Sequence, residues 1–103
     1  MKFNNVSVDL LSNTYFEGRV TSRNINFADG SLKTLGVMLV GEYEFSTAKK
    51  EIMEITLGEI HVLLPGSSEW QRFTENTSFD VPANSSFKVK VIKITNYCCS
   101  YID

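Results

Sequence analysis

The chain has 103 residues, which is enough for one domain with one hydrophobic core. With 43% hydrophobic and 21% charged residues, its composition is that of an ordinary globular protein. A formal net charge of −2 without a basic block argues against nucleic-acid binding, and no apolar run is long enough to span a membrane.

The segment after Met1 reads KFNNVSVDLLSN and lacks the continuous apolar core of a signal peptide, so we expect a cytoplasmic location. Short strand-like runs then recur between turn signals, without a sustained helical period. The segments ADGS, LPGSS and PANSS (residues 28–31, 64–68 and 82–86) predict turns. Six or more strands in roughly 90 residues predict an all-β sandwich or barrel.

Side-chain alternation in the strand-like runs predicts which residues share a face. Four sets of alternate residues each lie on one face: Tyr43, Phe45 and Thr47; Met53, Ile55 and Leu57; Phe87, Val89 and Val91; Tyr97, Cys99 and Tyr101. The aromatic and apolar content of the first three sets indicates that they face the interior. Glu51 is in register with Met53, so we expect a carboxylate at the rim or on the inside of an apolar face.

His61 is the only histidine and shares its face with Glu59 and Leu63. We interpret that face as solvent-exposed, because the residues on the opposite face are all aliphatic. A surface histidine without a chemical task is therefore favoured over a catalytic residue or a dimer contact.

Cys98 and Cys99 are the only cysteines, and they are adjacent. A disulfide between neighbours would strain the intervening peptide bond, and strand alternation points the two side chains to opposite faces. We therefore expect two reduced thiols, at least one of them packed as a small hydrophobe. Adjacent cysteines also lack the separation of zinc-ligand pairs.

The spacing Glu51-(x)6-Gly58 resembles the end of the first sequence motif of cupins, G(x)5HxH(x)3-4E(x)6G. In that frame, Phe45 and Thr47 stand where cupins have two histidine ligands. Cupins are small β-barrels, so the resemblance implies a single RmlC-like jelly-roll barrel.

The second cupin motif, G(x)5PxG(x)2H, places Asn76 at its first glycine, Pro82 at its proline and Phe87 at its histidine. Phenyl rings cannot coordinate a cation, and Glu51 alone would hold one only weakly. The resemblance therefore implies a cupin without a metal, and a metal-dependent oxygenase is the least favoured function.

Four co-linear segments carry a narrower resemblance. They are GVMLVGEYEFSTAKKEIMEITLGEIHVLLPG (residues 36–66), Trp70, FDVPANSSF (residues 79–87) and YCCSY (residues 97–101). In this order and spacing they resemble the small single-cupin pyrimidine/purine nucleoside phosphorylases, with Cys99 as the motif cysteine. The resemblance covers residues 12–101.

Two features depart from the family pattern. Asn76 stands where the family usually has glycine, although asparagine also tolerates a left-handed backbone. Residues 1–11 precede the usual family start. Because VSVDL (residues 6–10) alternates, this N-terminal extension is expected to add an edge strand or to stay disordered, ahead of a cupin domain at residues 12–103.

The resemblance implies an enzyme, a pentosyltransferase of the glycosyltransferase class. It would convert purine and pyrimidine nucleosides and inorganic phosphate to free base and α-D-ribose 1-phosphate, without a metal or cofactor, as a homodimer. Two alternatives stay open. One is a non-catalytic cupin that binds a nucleoside or sugar, and the other is a structural module whose aromatic residues fill a small barrel.

The implied reaction develops positive charge on the sugar and needs an anion-binding group. Glu51 is the candidate for accepting hydrogen bonds from ribose hydroxyls and stabilising the cationic sugar, and Thr47 for donating to phosphate. Candidate substrate-contacting residues are Tyr43, Phe45, Phe87, Trp70, Tyr97 and Tyr101. Arg19 and Lys33 are the candidate phosphate-binding cations.

Each assignment has a structural alternative. Glu51 could be a buried acid satisfied by backbone or tyrosine groups, and the aromatic residues could be core. Arg19 and Lys33 could be solvated surface charges. Trp70 follows the turn at residues 64–68, where a dimer contact or a core plug is as reasonable as a base platform.

Overall fold

The computed structural model describes residues 1–103 as nine strands and one short 3-10 turn. The strands are β1 (Ser7–Val8), β2 (Asn13–Tyr15), β3 (Val20–Asn26), β4 (Leu32–Met38), β5 (Gly41–Ser46), β6 (Lys50–Leu63), β7 (Gln71–Thr74), β8 (Thr77–Val81) and β9 (Ser86–Ile102). The 3-10 turn (Phe16–Gly18) lies between β2 and β3. No helix in the structure is long and apolar enough to cross a membrane.

All strands belong to one antiparallel sheet in the order β1-β3-β4-β9-β6-β7. In addition, β2 pairs with β3, β5 with β9, and β8 with β6. The all-β fold predicted from the alternating runs is confirmed. The hydrogen-bonded ladder does not close on itself, so the sheet is not the closed barrel that the sequence suggested.

The 17-residue strand β9 organises the sheet. Its first half pairs with β5 and with the second half of β6, and its second half lies between β4 and the first half of β6. These pairings place residues from distant parts of the chain side by side. Along most of its length, β9 has β6 as a neighbour on one side and β5 or β4 on the other.

A β-bulge in β6 shifts the register with β9 between Ile55 and Ile60. Both isoleucines are buried, although five residues of regular strand would place them on opposite faces. Gly58 makes the shift possible, with φ of 115° and no room for a Cβ against the main chain of β9. Leu57, predicted to face inward with Ile55, is 56% exposed because the bulge turns it outward. That prediction was wrong.

The core consists of fourteen buried side chains in one cluster. Of the residues predicted to face inward, Tyr43, Phe87, Val89 and Val91 all belong to it. Full burial of one such apolar side chain stabilises a protein by about 1.5–3 kcal/mol. Cys98 and Cys99 are both free and buried, whereas the sequence predicted two free thiols with at least one of them packed.

The three predicted turns are confirmed, since each connects two strands. Asn76 adopts φ of 66° in the tight turn between β7 and β8, which is the left-handed conformation expected of an asparagine at a glycine position. Near the N-terminus, Ser7 pairs with Asn26 and Val8 with Ile25, so β1 lies at an edge of the sheet.

Candidate active site

A cavity of about 120 Å³ lies among the side chains of β2 to β6 and β9. We call it the inner cavity. Its wall is mainly apolar and aromatic with a few polar groups, which is typical of a small-molecule site. The lining residues are Tyr15, Ser22, Thr34, Met38, Phe45, Ser46, Glu51, Met53, Phe87, Tyr97, Cys99 and Tyr101.

Glu51 is the only acidic residue in this wall. It lies near the start of β6, where it pairs with Val81 of β8 and Tyr101 of β9. The Cys99 thiol donates a hydrogen bond to Oε1 of Glu51 over 3.4 Å, and no ion pair of the chain includes Glu51. Burial raises the pKa of Glu51 above its ordinary value of 4.5, and the Cys99 hydrogen bond offsets only part of that rise.

The groups around Glu51 are neutral hydrogen-bonding groups. Burial raises the pKa values of Cys99, Tyr97 and Tyr101 far above their ordinary values, so all three stay protonated at neutral pH. The hydroxyl oxygens of Tyr101 and Thr34 are 3.3 Å apart. The wall of the inner cavity therefore places a single carboxylate among hydrogen-bond donors that can orient a polar ligand.

Aromatic rings form the apolar side of the inner cavity. The rings of Phe45 and Phe87 lie 5.5 Å apart at 31°, and Phe16 packs edge-on against Phe45 at 5.7 Å and 89°. Flat apolar surfaces of this kind suit a heterocyclic ring, because any base offers a π face for stacking.

The turn after β2 has an unusual backbone. Phe16, Glu17 and Gly18 all have positive φ, at 51°, 59° and 87°. A bulky residue such as Phe16 rarely adopts this conformation, and strained backbone of this kind recurs at functional sites. The strain is offset by packing of Phe16 on Tyr43, with ring centroids 4.9 Å apart. The turn fixes the end of β2, where Tyr15 forms part of the cavity wall.

A second, larger recess of about 510 Å³ adjoins the inner cavity. We call it the outer recess. Tyr15, Glu51 and Tyr101 line both spaces, so the two are adjacent and meet at these side chains. Lys49 and Asp103 contribute the only other charged side chains of the outer recess.

Five of the residues predicted to contact substrate or act on it are brought together in the wall of the inner cavity. They are Phe45, Glu51, Phe87, Tyr97 and Tyr101. Tyr43 lies instead in the core, where its hydroxyl donates to the Leu39 carbonyl oxygen over 2.7 Å.

Thr47 lies outside both spaces and connects two loops. Its hydroxyl donates to the Pro82 carbonyl oxygen over 2.6 Å and accepts from the Ser85 backbone N–H over 3.1 Å. The loop before β6, which carries Lys49, is thus tied to the loop before β9. In this arrangement the hydroxyl is already engaged within the protein.

The remaining predicted residues lie away from the inner cavity. Trp70 is on the surface, with Lys90 Nζ 4.3 Å from its ring centroid. The Arg19 guanidinium lies 5.3 Å from the centroid of the Tyr43 ring. The amine of Lys33 is close to the rings of two phenylalanines near the N-terminal half of the sheet, Phe3 and Phe27. None of these three lines either space.

Comparison with known proteins decides the family. The family sequence model described as pyrimidine/purine nucleoside phosphorylase matches residues 10–101 of the chain. The chain belongs to this family. A pyrimidine/purine nucleoside phosphorylase from Sulfurovum sp. strain NBC37-1 is 60% identical over 101 residues, which is 98% of each chain.

Comparison with solved structures identifies the fold of the chain. A protein of unknown function from Acinetobacter sp. ADP1 superimposes with a TM-score of 0.96 and 39% identity over 98% of each chain. An RmlC-like cupin from Shewanella frigidimarina superimposes with a TM-score of 0.71 and 16% identity, covering 97% of this chain and 86% of its own. The cupin-type fold predicted from the sequence motifs is confirmed.

Many cupins hold a metal ion inside the barrel, and the side chains of this family member do not fit one. Phe45, Thr47 and Phe87 occupy the histidine positions of the cupin motifs, and no three histidine, cysteine or acidic side chains lie close enough together to bind an ion. The only other histidine, cysteine or acidic side chain in the cavity wall is Cys99, whose thiol lies 3.4 Å from Glu51 Oε1. One carboxylate and one thiol are too few, because bound zinc takes three or four protein ligands.

Sequence reasoning did not identify Ser22 and Thr34 as cavity residues. Both are small and polar, and they lie in strands β3 and β4, where polar side chains at alternate positions indicate a solvent face. Thr34 reaches the cavity because β4 pairs with β9, which sets Thr34 opposite Cys99. No local signal in the sequence encodes that pairing.

Replacing Thr47 with valine is expected to lower the free energy of unfolding by about 1–3 kcal/mol, because the Ser85 N–H loses its acceptor beside the buried Thr47 side chain. Urea denaturation measures the change. Thr56→Val is the matched control, since the exposed Thr56 hydroxyl bonds only to the Asn96 carbonyl, and we expect less than about 0.5 kcal/mol there. Equal losses in the two variants would contradict the structural role.

Proposed function

We propose that the protein is a nucleoside phosphorylase acting on both purine and pyrimidine nucleosides. The observation that carries the proposal is family membership along residues 10–101, with a relative of that name at 60% identity. In the reaction, a phosphate oxygen forms a bond to the anomeric carbon while the bond from that carbon to the base nitrogen breaks. The base leaves with the bonding electrons and takes up a proton, and α-D-ribose 1-phosphate is the second product.

The chemistry of the inner cavity supports this reaction. Cleavage of the bond to the base builds positive charge on the ribose, and a carboxylate fixed beside the sugar stabilises that charge. Glu51 is the only group in the cavity wall that can supply it. The same carboxylate can accept hydrogen bonds from the ribose hydroxyls, while Tyr101 can donate.

The size of the two spaces suggests how a nucleoside is distributed. Ligand sites for molecules of drug size typically measure about 300–1,000 Å³, so an inner cavity of about 120 Å³ holds only part of a nucleoside. The aromatic wall suits the base, and the ribose then lies near Glu51 and Tyr101, where the inner cavity meets the outer recess. Stacking without a dedicated set of hydrogen bonds to the base edge accounts for broad specificity.

The direct test is an assay for free base released from uridine and adenosine with and without phosphate. We expect release from both only with phosphate, together with ribose 1-phosphate in equal amount. Release that does not depend on phosphate, or no release from either nucleoside, would contradict the proposal. Binding of ribose 1-phosphate without turnover would instead support a non-catalytic binding protein.

Addition of EDTA is expected to leave the rate of phosphorolysis unchanged, because the donor set around Glu51 does not fit a metal ion. The measurement compares rates before and after dialysis against the chelator. Rates restored by a divalent cation after a loss would show that the reaction depends on a metal.

A homodimer and a cytoplasmic location remain predictions from the sequence. The outward-facing sheet surface carries exposed apolar side chains, among them Leu35, Leu57 and Ile94, which a second copy could cover. Size-exclusion chromatography with light scattering at micromolar protein should give twice the 11.6 kDa mass of one chain. A mass of one chain would reject the dimer.

A further inference from the structure

The order of groups in phosphorolysis fixes where phosphate must approach. The nucleophile attacks the anomeric carbon from the side opposite the departing base, so base, ribose and phosphate lie in a line. With the base against the aromatic wall of the inner cavity and the ribose at Glu51 and Tyr101, the space left for phosphate is the outer recess, which these two residues also line. Phosphate therefore needs an anion-binding group in the outer recess, and a cationic side chain gives the strongest hydrogen bonds to phosphate.

Lys49 is the only cationic side chain that lines either space. It lies in the loop between β5 and β6, two residues before Glu51, and both side chains line the outer recess. The neighbouring Lys50 has a different environment, since its amine lies 3.6 Å from Asp80 and it lines neither space.

The amine of Lys49 is held by a partner that an incoming anion can replace. It lies 2.6 Å from Asp103 Oδ1, and the side chains are 57% and 89% exposed. Exposed ion pairs of this kind contribute little stability, so exchanging the carboxylate for a phosphate dianion is easy. The ion pair lowers the pKa of Asp103 below its ordinary value, consistent with a carboxylate that stays ionised beside the amine.

We propose that Lys49 binds the attacking phosphate in the outer recess, and that Asp103 forms an ion pair with the Lys49 amine until phosphate displaces it. This inference rests on the proposed phosphorylase function. Asp103 then acts as an internal competitor of phosphate, which sets the phosphate concentration at which the enzyme saturates. Tyr15 lines the same recess, and its hydroxyl can donate to one of the remaining phosphate oxygens.

The test compares Lys49→Gln with Lys50→Gln, two adjacent lysines with exposed side chains. Lys49→Gln should raise the KM for phosphate at least about tenfold, the usual effect of losing one charge-assisted hydrogen bond, with the KM for uridine changed less than about twofold. Lys50→Gln should leave both constants unchanged, and Lys49→Arg should restore most of the phosphate affinity. Equal phosphate constants in the two glutamine variants would overturn the assignment.

A second variant tests the competition. Asp103→Asn should tighten phosphate binding by roughly two- to fivefold, because it removes the partner of Lys49, and should have no effect when Lys49 is already glutamine. An unchanged phosphate constant in Asp103→Asn would overturn the competitor role.

Phosphate binding measured by calorimetry separates this inference from the function itself. If the wild-type protein binds inorganic phosphate through Lys49 but releases no base, the site stands and the proposed reaction fails. If it releases base and Lys49→Gln binds phosphate as well as the wild-type protein does, the reaction stands and the site fails. Absence of both binding and turnover overturns both.

Discussion

Glu51→Gln is expected to lower kcat/KM for phosphorolysis by about 10²- to 10³-fold while the protein stays folded, as seen when one preorganised electrostatic contact is removed from an active site. Glutamine keeps the shape of the side chain and removes its charge. Because Glu51 is the only acid in the wall of the inner cavity, no neighbouring carboxylate can replace it. Steady-state kinetics with uridine and phosphate measures the loss.

Glu54→Gln is the matched control, because Glu54 lies on the same strand, is exposed and lines neither space. The control should keep the parent rate. The pH profile adds a second readout. A carboxylate acts in its ionised form, so activity should fall as the pH drops through the raised pKa of Glu51, which lies above 4.5. The Glu51→Gln variant should lack that acidic limb, and a parent rate in this variant would remove Glu51 from the mechanism.

Glu51→Gln, which is expected to lower activity, is expected to leave the stability of the fold unchanged or to raise it. Burial raises the pKa of Glu51 in the folded state, so the ionised carboxylate opposes folding once the pH exceeds the unfolded value of about 4.5. Below that pH the group is protonated in both states and the penalty is absent. Glu51→Gln should therefore have an equal or higher Tm at pH 7, and its advantage over the wild type should disappear toward pH 4.

Gly36→Ala is expected to lower the free energy of unfolding by about 3 kcal/mol, at the upper end of what overpacking a core costs. A Cβ at this position would lie 2.6 Å from the Tyr97 hydroxyl oxygen and still closer to the Thr21 carbonyl oxygen. Gly36 pairs with Ser22 on one side and Tyr97 on the other, so neither strand can move without disturbing the sheet. Urea denaturation monitored by tryptophan fluorescence measures the change.

The clash also reaches the inner cavity, because Tyr97 forms part of its wall. Gly36→Ala should weaken nucleoside binding in whatever fraction of the protein stays folded. Val37→Ala, the next residue along β4, provides the control. It removes volume from a half-buried side chain without creating a clash, and we expect a loss below about 1 kcal/mol. Similar losses in the two variants would show that the close approach at Gly36 is not needed.

The parts of the fold that depend on neighbouring residues could be predicted from the sequence. Alternation gave the inward faces of Tyr43 and Phe87, and glycine, proline and asparagine marked the turns. Leu57 was misassigned because a bulge adds a residue to one strand only, and alternation assumes that none is added. Gly58 was a visible signal for that bulge, since glycine within a strand often marks one.

The sequence could predict which residues line the candidate site only where those residues lie on the same strand. Glu51 was assigned to an apolar face from its register with Met53, and both line the inner cavity. Thr34 enters the cavity, and Lys49 meets Asp103, only through pairings between distant segments, which periodicity does not encode. The function came from resemblance to a family, because many unrelated activities share the cupin fold.

The central position of β9 has a consequence for how the protein is made. Strands β4, β5 and β6 each pair on one side with residues 86–102. A growing chain therefore cannot complete its sheet until this segment has left the ribosome. Contacts of such long sequence separation are associated with folding in milliseconds to seconds. During that interval, the edges of the earlier strands remain open to other nascent chains, and chaperone binding at this stage should affect the yield of native enzyme.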